Sequence, residues 1–313
     1  MNPPDDPAVT RTVRRPGGIV CPLVTPLTPD GDLDEAVLRA LIDGLVPRLD
    51  GLFVLGSSGE LTWLPDDVAA RVVEVAVDQV AGRVPVYAGV GDTGLERTLA
   101  RADRLAIDGV DYLVVTTPFY YRVGSEPHLV DYFVTIAERV AAPVLLYNIP
   151  QNTHLPLVPD LARVLAAHPR IVGIKDSAGD WFAFEEFLTL RADDFSVIQG
   201  REQLAAISFW SGADGLISGM ANFAPRLLQE LAAAIAEQRP RADALGLQAE
   251  VNDLAAVFAQ GEWLAGLKYA LRALGWDVGD PSRPIPSCDA PQRQVIDRIL
   301  AATDERWLTR RAG

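Results

Sequence analysis

Two lysines stand in this 313-residue chain, Lys175 and Lys268, among 28 basic residues. Lys175 lies in Gly173-Ile174-Lys175-Asp176-Ser177, at the end of a β-branched apolar run. On a strand, alternate residues face alternate sides, so Gly173 and Lys175 share one face while Val172 and Ile174 share the other. The large branched pair suits an outer face. Lys175 then points inward, above a glycine that leaves it room. An amine in such a place loses hydration, its pKa falls, and a neutral nucleophile becomes available. Facing a small carbonyl compound, that amine forms an imine. A strand-end lysine can also snorkel to solvent or pair with Asp176.

Imine chemistry needs a proton shuttle that is uncharged when idle, and a phenol hydrogen-bonded to a hydroxyl serves. Tyr147, with Leu145 on the same strand face, is placed to project into the same mouth. Tyr120, Tyr121 and Ser57 are its available partners. The segment Gly56-Ser57-Ser58-Gly59-Glu60 offers hydroxyl and backbone N–H donors for a carboxylate oxyanion. Its Ser57-x-x-Glu60 spacing also reads as a capping box for a helix starting near Pro65. The three histidines, His128, His154 and His168, have no metal-site spacing, and Lys268 reads as a structural or surface residue of a helix. Nothing argues for a metal, nucleotide, flavin or pyridoxal phosphate.

These residues need a scaffold that brings strand ends together. Apolar runs begin near Gly18, Gly51, Val84, Tyr112, Pro143, Ile171, Phe195 and Gly215, at intervals of about 20–33 residues. That is one strand, one helix and two loops. Amphipathic segments such as 34–49, 65–81, 94–107 and 129–140 fill the gaps. Eight such units predict a (β/α)8 TIM barrel, whose active site lies at the C-terminal ends of the strands. After the eighth run the pattern is helical, roughly 225–238, 241–260, 262–274 and 291–310, with a Pro- and Gly-rich loop over 275–286. The division expected is a flexible arm over 1–16, a barrel over 17–224, and the last barrel helix with a C-terminal helical appendage over 225–313.

Composition narrows the partners. With 42 acidic residues against 28 basic ones the formal net charge is −14, which argues against nucleic-acid or anionic-membrane surfaces. No apolar run approaches the roughly 18–20 residues of a membrane span. The polar N-terminus does not look like a signal peptide. Two distant cysteines, Cys21 and Cys288, suggest a reducing compartment. A soluble cytoplasmic protein is expected.

Taken in order, Val24-Thr25-Pro26, Gly56–Glu60, Thr117-Pro118-Phe119-Tyr120-Tyr121, Tyr147-Asn148-Ile149-Pro150, Gly173–Ser177 and Gly215–Asn222 resemble the dihydrodipicolinate synthase / N-acetylneuraminate lyase family of Schiff-base lyases. The resemblance spans roughly Gly18 to Leu300. It implies Lys175 as the imine-forming lysine, Tyr147 as the proton shuttle, and Ser57 and Ser58 as carboxylate-binding hydroxyls. It implies that Tyr120 crosses a tight dimer interface to complete a Tyr–Ser–Tyr relay, and that Ile217 and Gly200 line the substrate. It implies no cofactor, a homodimer or homotetramer, and pyruvate or a related 2-oxo acid with an aldehyde as substrates.

The family's synthases carry Tyr-Asn-x-Pro-x-Arg-Thr, whereas this chain has Asn152 at the arginine position. Loss of that bidentate cation points away from aspartate semialdehyde. Together with Tyr120-Tyr121-Arg122, it looks more like the 4-hydroxy-2-oxoglutarate aldolases, with Arg122 a replacement cation if its loop folds inward. Dihydrodipicolinate synthase, a sugar-acid lyase or dehydratase, and a non-catalytic 2-oxo acid sensor are the alternatives.

Overall fold

The computed structural model describes residues 15–122 and 125–311. The expected arm falls almost wholly on residues 1–14, outside that range. Eight strands close into one parallel barrel in chain order, with β1 (Gly18–Pro22) paired to both β2 (Gly51–Val54) and β8 (Gly215–Ile217). Between them run β3 (Val86–Gly89), β4 (Tyr112–Thr116), β5 (Val144–Asn148), β6 (Ile171–Asp176) and β7 (Ser196–Gln199). Each observed strand falls within one of the eight apolar runs.

The outer ring is built from α1 (Glu35–Leu45), α2 (Asp66–Val80), α3 (Leu95–Leu105), α4 (Glu126–Arg139), the short α5 (Pro150–Thr153), α6 (Pro159–Ala166), α7 (Trp181–Leu188), α8 (Ala205–Trp210) and α9 (Pro225–Ala236). Three further helices, α10 (Arg241–Ala255), α11 (Trp263–Ala273) and α12 (Ala290–Ala302), follow the barrel. The stretch read as one helix over 291–310 breaks instead at Thr303. The chain resumes there in a 3-10 turn at Glu305–Trp307 that Asp304 caps through the Arg306 N–H. Among the described residues no helix is long and apolar enough to cross a membrane. Cys21 and Cys288 are both buried free thiols.

Two apolar layers follow from strand alternation. Side chains such as Val20, Phe53, Tyr112, Leu145, Ile198 and Ile217 fill the barrel interior. Ile174, Val197, Leu216 and their like face the helices. The alternation expected for β6 holds at Ile174 and Lys175 but not at Val172. The β5–β6 register shifts between Val144 and Leu145, which pair with Ile171 and Gly173, so Val172 is passed over. A bulge of this kind turns the skipped residue to the other face, and Val172 packs against the interior layer.

Candidate functional site

β6 delivers Lys175 to the C-terminal mouth of the barrel. Its side chain is buried, at 4% exposure. Nζ lies 4.0 Å from the centroid of the Tyr147 ring and 5.3 Å from that of Phe53. The closeness to Tyr147 is a consequence of register, because Tyr147 on β5 pairs directly with Lys175 on β6. Gly173 does not serve the role expected of it. A Cβ there would sit 2.5 Å from the Ser196 carbonyl oxygen and 3.1 Å from Leu145, so the missing side chain permits close strand approach rather than clearing space for the lysine.

Around the Tyr147 phenol converge Ser57, Lys175 and Ser177. Burial pushes this phenol up, but the charge of Lys175 and hydrogen bonding with Ser57, Lys175 and Ser177 outweigh it, and the net direction is down. A phenol so held gives up its proton more readily than one in water, and its phenolate is correspondingly easier to form.

The loop carrying Ser57 is not a helix cap. α2 begins only at Asp66, with Pro65 before it and no side-chain cap. Glu60 is instead buried, its Oε1 2.5 Å from Lys268 Nζ on α11. The Ser282 backbone N–H donates to Glu60 Oε2 at 2.6 Å, and Lys268 Nζ donates to the Asp280 carbonyl at 3.0 Å. Lys268 is therefore structural and not a surface residue. Leu55 and Glu60, on either side of Ser57, both hold positive φ (57° and 61°), a conformation that side chains resist and surrounding contacts must enforce. Thr25 adds one such contact, donating to the Gly59 carbonyl at 2.8 Å.

The remaining motif residues divide into frame and lining. Asn148 donates to Asp176 Oδ1 at 2.6 Å and accepts from the Leu157 N–H at 2.9 Å, which ties the ends of β5 and β6 to the following loop. Burial raises the Asp176 carboxyl to about 6, with the Asn148 hydrogen bond opposing. Asn222 accepts from Val24 N–H and donates to the Pro22 and Gly219 carbonyls, each at 3.0 Å, locking β1 to the loop after β8.

Two adjoining cavities open at this mouth and share Ser57, Tyr147, Ile149, Asn152 and Trp263. The larger, about 450 Å³, extends over the ends of β2 to β4 along Thr116, Phe119 and Trp63. The smaller, about 300 Å³, holds Lys175, Ser58, Gly200 and Ile217. The smaller one is the candidate site, since Lys175 and the Tyr147 phenol both line it.

Of the expected site residues, Lys175, Tyr147, Ser57, Ser58, Ile217, Gly200 and Asn152 thus gather in one place. Tyr120 and Arg122 do not. Tyr120 is 81% exposed, packs edge-to-face on Tyr121, and lines neither cavity. Arg122 is likewise exposed and lines neither, so it does not reach the site. The sequence reading also missed Ser177, Arg201 and Glu202, which line the lysine cavity. Ser177 was visible two residues after the lysine. The signal for the other two was only their place just beyond a strand end, beside Gly200.

The Dihydrodipicolinate synthetase family profile matches residues 15–303. A 4-hydroxy-tetrahydrodipicolinate synthase of Xanthomonas campestris is 40% identical over 215 residues, 68% of this chain and 71% of that one. The Salinibacter ruber protein of the same name is 33% identical over 293 residues, 92% of this chain and 95% of its own. Among solved structures, the prophage protein YagE of E. coli K12, in complex with pyruvate, superposes with a TM-score of 0.86 at 31% identity, covering 91% of this chain and 97% of YagE. A dihydrodipicolinate synthase of Bacillus anthracis gives 0.89 at 26% identity, covering 92% and 99%.

Proposed function

The chain belongs to the dihydrodipicolinate synthetase family of class I Schiff-base lyases, and from that premise we propose that it binds pyruvate or a related 2-oxo acid as an imine on Lys175 and makes or breaks the carbon–carbon bond at C3. The observation that carries this is the buried Lys175 amine 4.0 Å from the Tyr147 ring centroid, inside a cavity that also holds Ser57 and Ser58. The structure of YagE, similar across most of its length, is a complex with pyruvate.

In the cleavage direction Lys175 Nζ adds to the C2 carbonyl of a 4-hydroxy-2-oxo acid. Water leaves with a proton relayed through Tyr147, and the imine forms. Tyr147, as phenolate, then accepts the proton of the C4 hydroxyl. The C3–C4 pair flows into the iminium, releasing an aldehyde and leaving an enamine. Protonation at C3 and hydrolysis return pyruvate and the free lysine. The downward direction of the Tyr147 phenol suits both halves of this cycle. Ser57 and Ser58 are the donors for the C1 carboxylate. Tyr120, exposed on its own subunit, would complete the Tyr–Ser–Tyr relay in a partner's site, which calls for at least a dimer.

For the second substrate, Asn152 favours a 4-hydroxy-2-oxoglutarate-type aldolase over condensation with aspartate semialdehyde. A neutral amide hydrogen-bonds without the charge assistance an arginine supplies, a difference on the order of ten- to a thousandfold in kcat/KM. The names of the Xanthomonas and Salinibacter relatives favour the synthase reading instead. A panel of 2-oxo acids and aldehydes separates the two: pyruvate release from 4-hydroxy-2-oxo acids should exceed condensation with aspartate semialdehyde, and Asn152→Arg should narrow the gap. Condensation at the faster rate in the wild type would reverse the ranking.

A further inference from the structure

Once Ser57 and Ser58 donate to the C1 carboxylate, a second carboxylate on the substrate would call for a local cation in a chain of net charge −14. With Asn152 neutral and Arg122 outside both cavities, one guanidinium remains in the lysine cavity, that of Arg201. It stands just after β7 on a rigid mount. Gly200 presses against the end of β6, where its N–H donates to the Asp176 carbonyl at 2.6 Å. A Cβ at Gly200 would fall 2.0 Å from Ser177 Oγ, so only glycine lets this segment come so close. Gln199 Oε1 accepts the N–H of Gly200 and of Arg201, both at 2.9 Å, while Gln199 Nε2 donates to Ser208 at 3.0 Å.

The guanidinium is steered as well as tethered. Its Nε donates to the Ser177 carbonyl at 3.0 Å, and the same carbonyl accepts from Gln151 at 3.1 Å. The two terminal nitrogens, the fork that grips carboxylates, have no partner among the described residues. The nearby carboxyls feel the Arg201 charge, but neither hydrogen-bonds its terminal nitrogens among the described residues. Glu202 is buried and accepts from Ser218 at 2.9 Å, and Asp176 accepts from Asn148. Burial raises both carboxyls above their ordinary range, with the Arg201 charge opposing.

From this geometry we infer that Arg201 is a specificity-determining residue whose terminal nitrogens bind a second carboxylate, distal to the reacting carbonyl, so that the site selects dicarboxylic 2-oxo acids. The inference rests on the imine reading for Lys175 and adds to it the class of acid and the residue that chooses it.

The test compares 2-oxoglutarate with 2-oxopentanoate, which differ only by a carboxylate in place of the terminal methyl. Borohydride trapping on Lys175 gives the half-saturating concentration of each acid, and the ratio between the two is the readout, since it cancels any loss common to both. In the wild type the dicarboxylate should trap at a concentration roughly ten- to a hundredfold lower. Arg201→Gln should bring the ratio near one, and Arg201→Lys should restore part of it. Isothermal calorimetry with the same two acids reads the preference without requiring an imine. A calorimetric preference that vanishes in Arg201→Gln upholds the assignment even if no adduct forms, in which case the imine reading alone fails. A wild type with no preference by either measure, or an Arg201→Gln protein that keeps it, overturns the assignment.

Discussion

Replacing Lys268 by methionine strands the Glu60 carboxylate in the protein interior. Both side chains of this pair are shut off from water, at 1% and 0% exposure, and their charges approach to 2.5 Å. At an effective dielectric of about 20 the gross attraction is on the order of 6–7 kcal/mol. Desolvation of both ions offsets much of it, and breaking a buried pair by deleting one partner costs about 3–5 kcal/mol. Lys268→Met should destabilise by that amount, with Tm falling by roughly 10 °C for a chain of this size. Glu60→Gln combined with Lys268→Met removes the stranded charge, keeps an acceptor for the Ser282 N–H, and should recover more than half of the loss. Urea unfolding of the two single variants and the double variant gives the coupling directly. Because Glu60 also ends the loop that holds Ser57, Lys268→Met should lose pyruvate-releasing activity at temperatures where it is still folded. A single-variant loss below about 1 kcal/mol would refute this account of the pair.

Mixing Lys175→Ala protein with Tyr120→Phe protein under conditions of subunit exchange should restore part of the activity, since a hybrid dimer holds one site with both residues intact; a fully active monomer by light scattering contradicts this. Asp176 gives a pH signature. Its folded carboxyl sits at about 6 against an ordinary 3.8, so the stability it contributes is complete below about pH 4 and is lost as pH rises through 6. Asp176→Asn mimics the neutral acid, and its stability relative to wild type should improve between pH 4 and pH 7.5 by at most roughly 3 kcal/mol in urea unfolding; a difference that stays flat with pH would count against the burial argument.

The barrel was legible because eight apolar runs at regular spacing have few other ways to close, and Lys175 and Tyr147 because period-two alternation decides which side chains share a mouth. What escaped the sequence depended on contacts distant along the chain. Val172 changes face because a bulge is set by the neighbouring strand. The Ser57-x-x-Glu60 pattern imitates a helix cap, and only the packing of α11 shows that Glu60 belongs to Lys268, more than two hundred residues away. Arg122 and Arg201 are equally basic on paper. The first sits on an exposed loop, while the second is mounted beside Lys175 by Gln199, Gly200 and the Ser177 carbonyl. Local spacing carries no information about that difference.

If Lys175 is the imine-forming nucleophile, reduction with borohydride in the presence of pyruvate traps the adduct on it. One reduced pyruvate per chain should appear on the tryptic peptide containing Lys175, none on that containing Lys268, and none at all in Lys175→Ala. An adduct on Lys268, or an unmodified wild type under conditions in which it turns over substrate, would contradict the account.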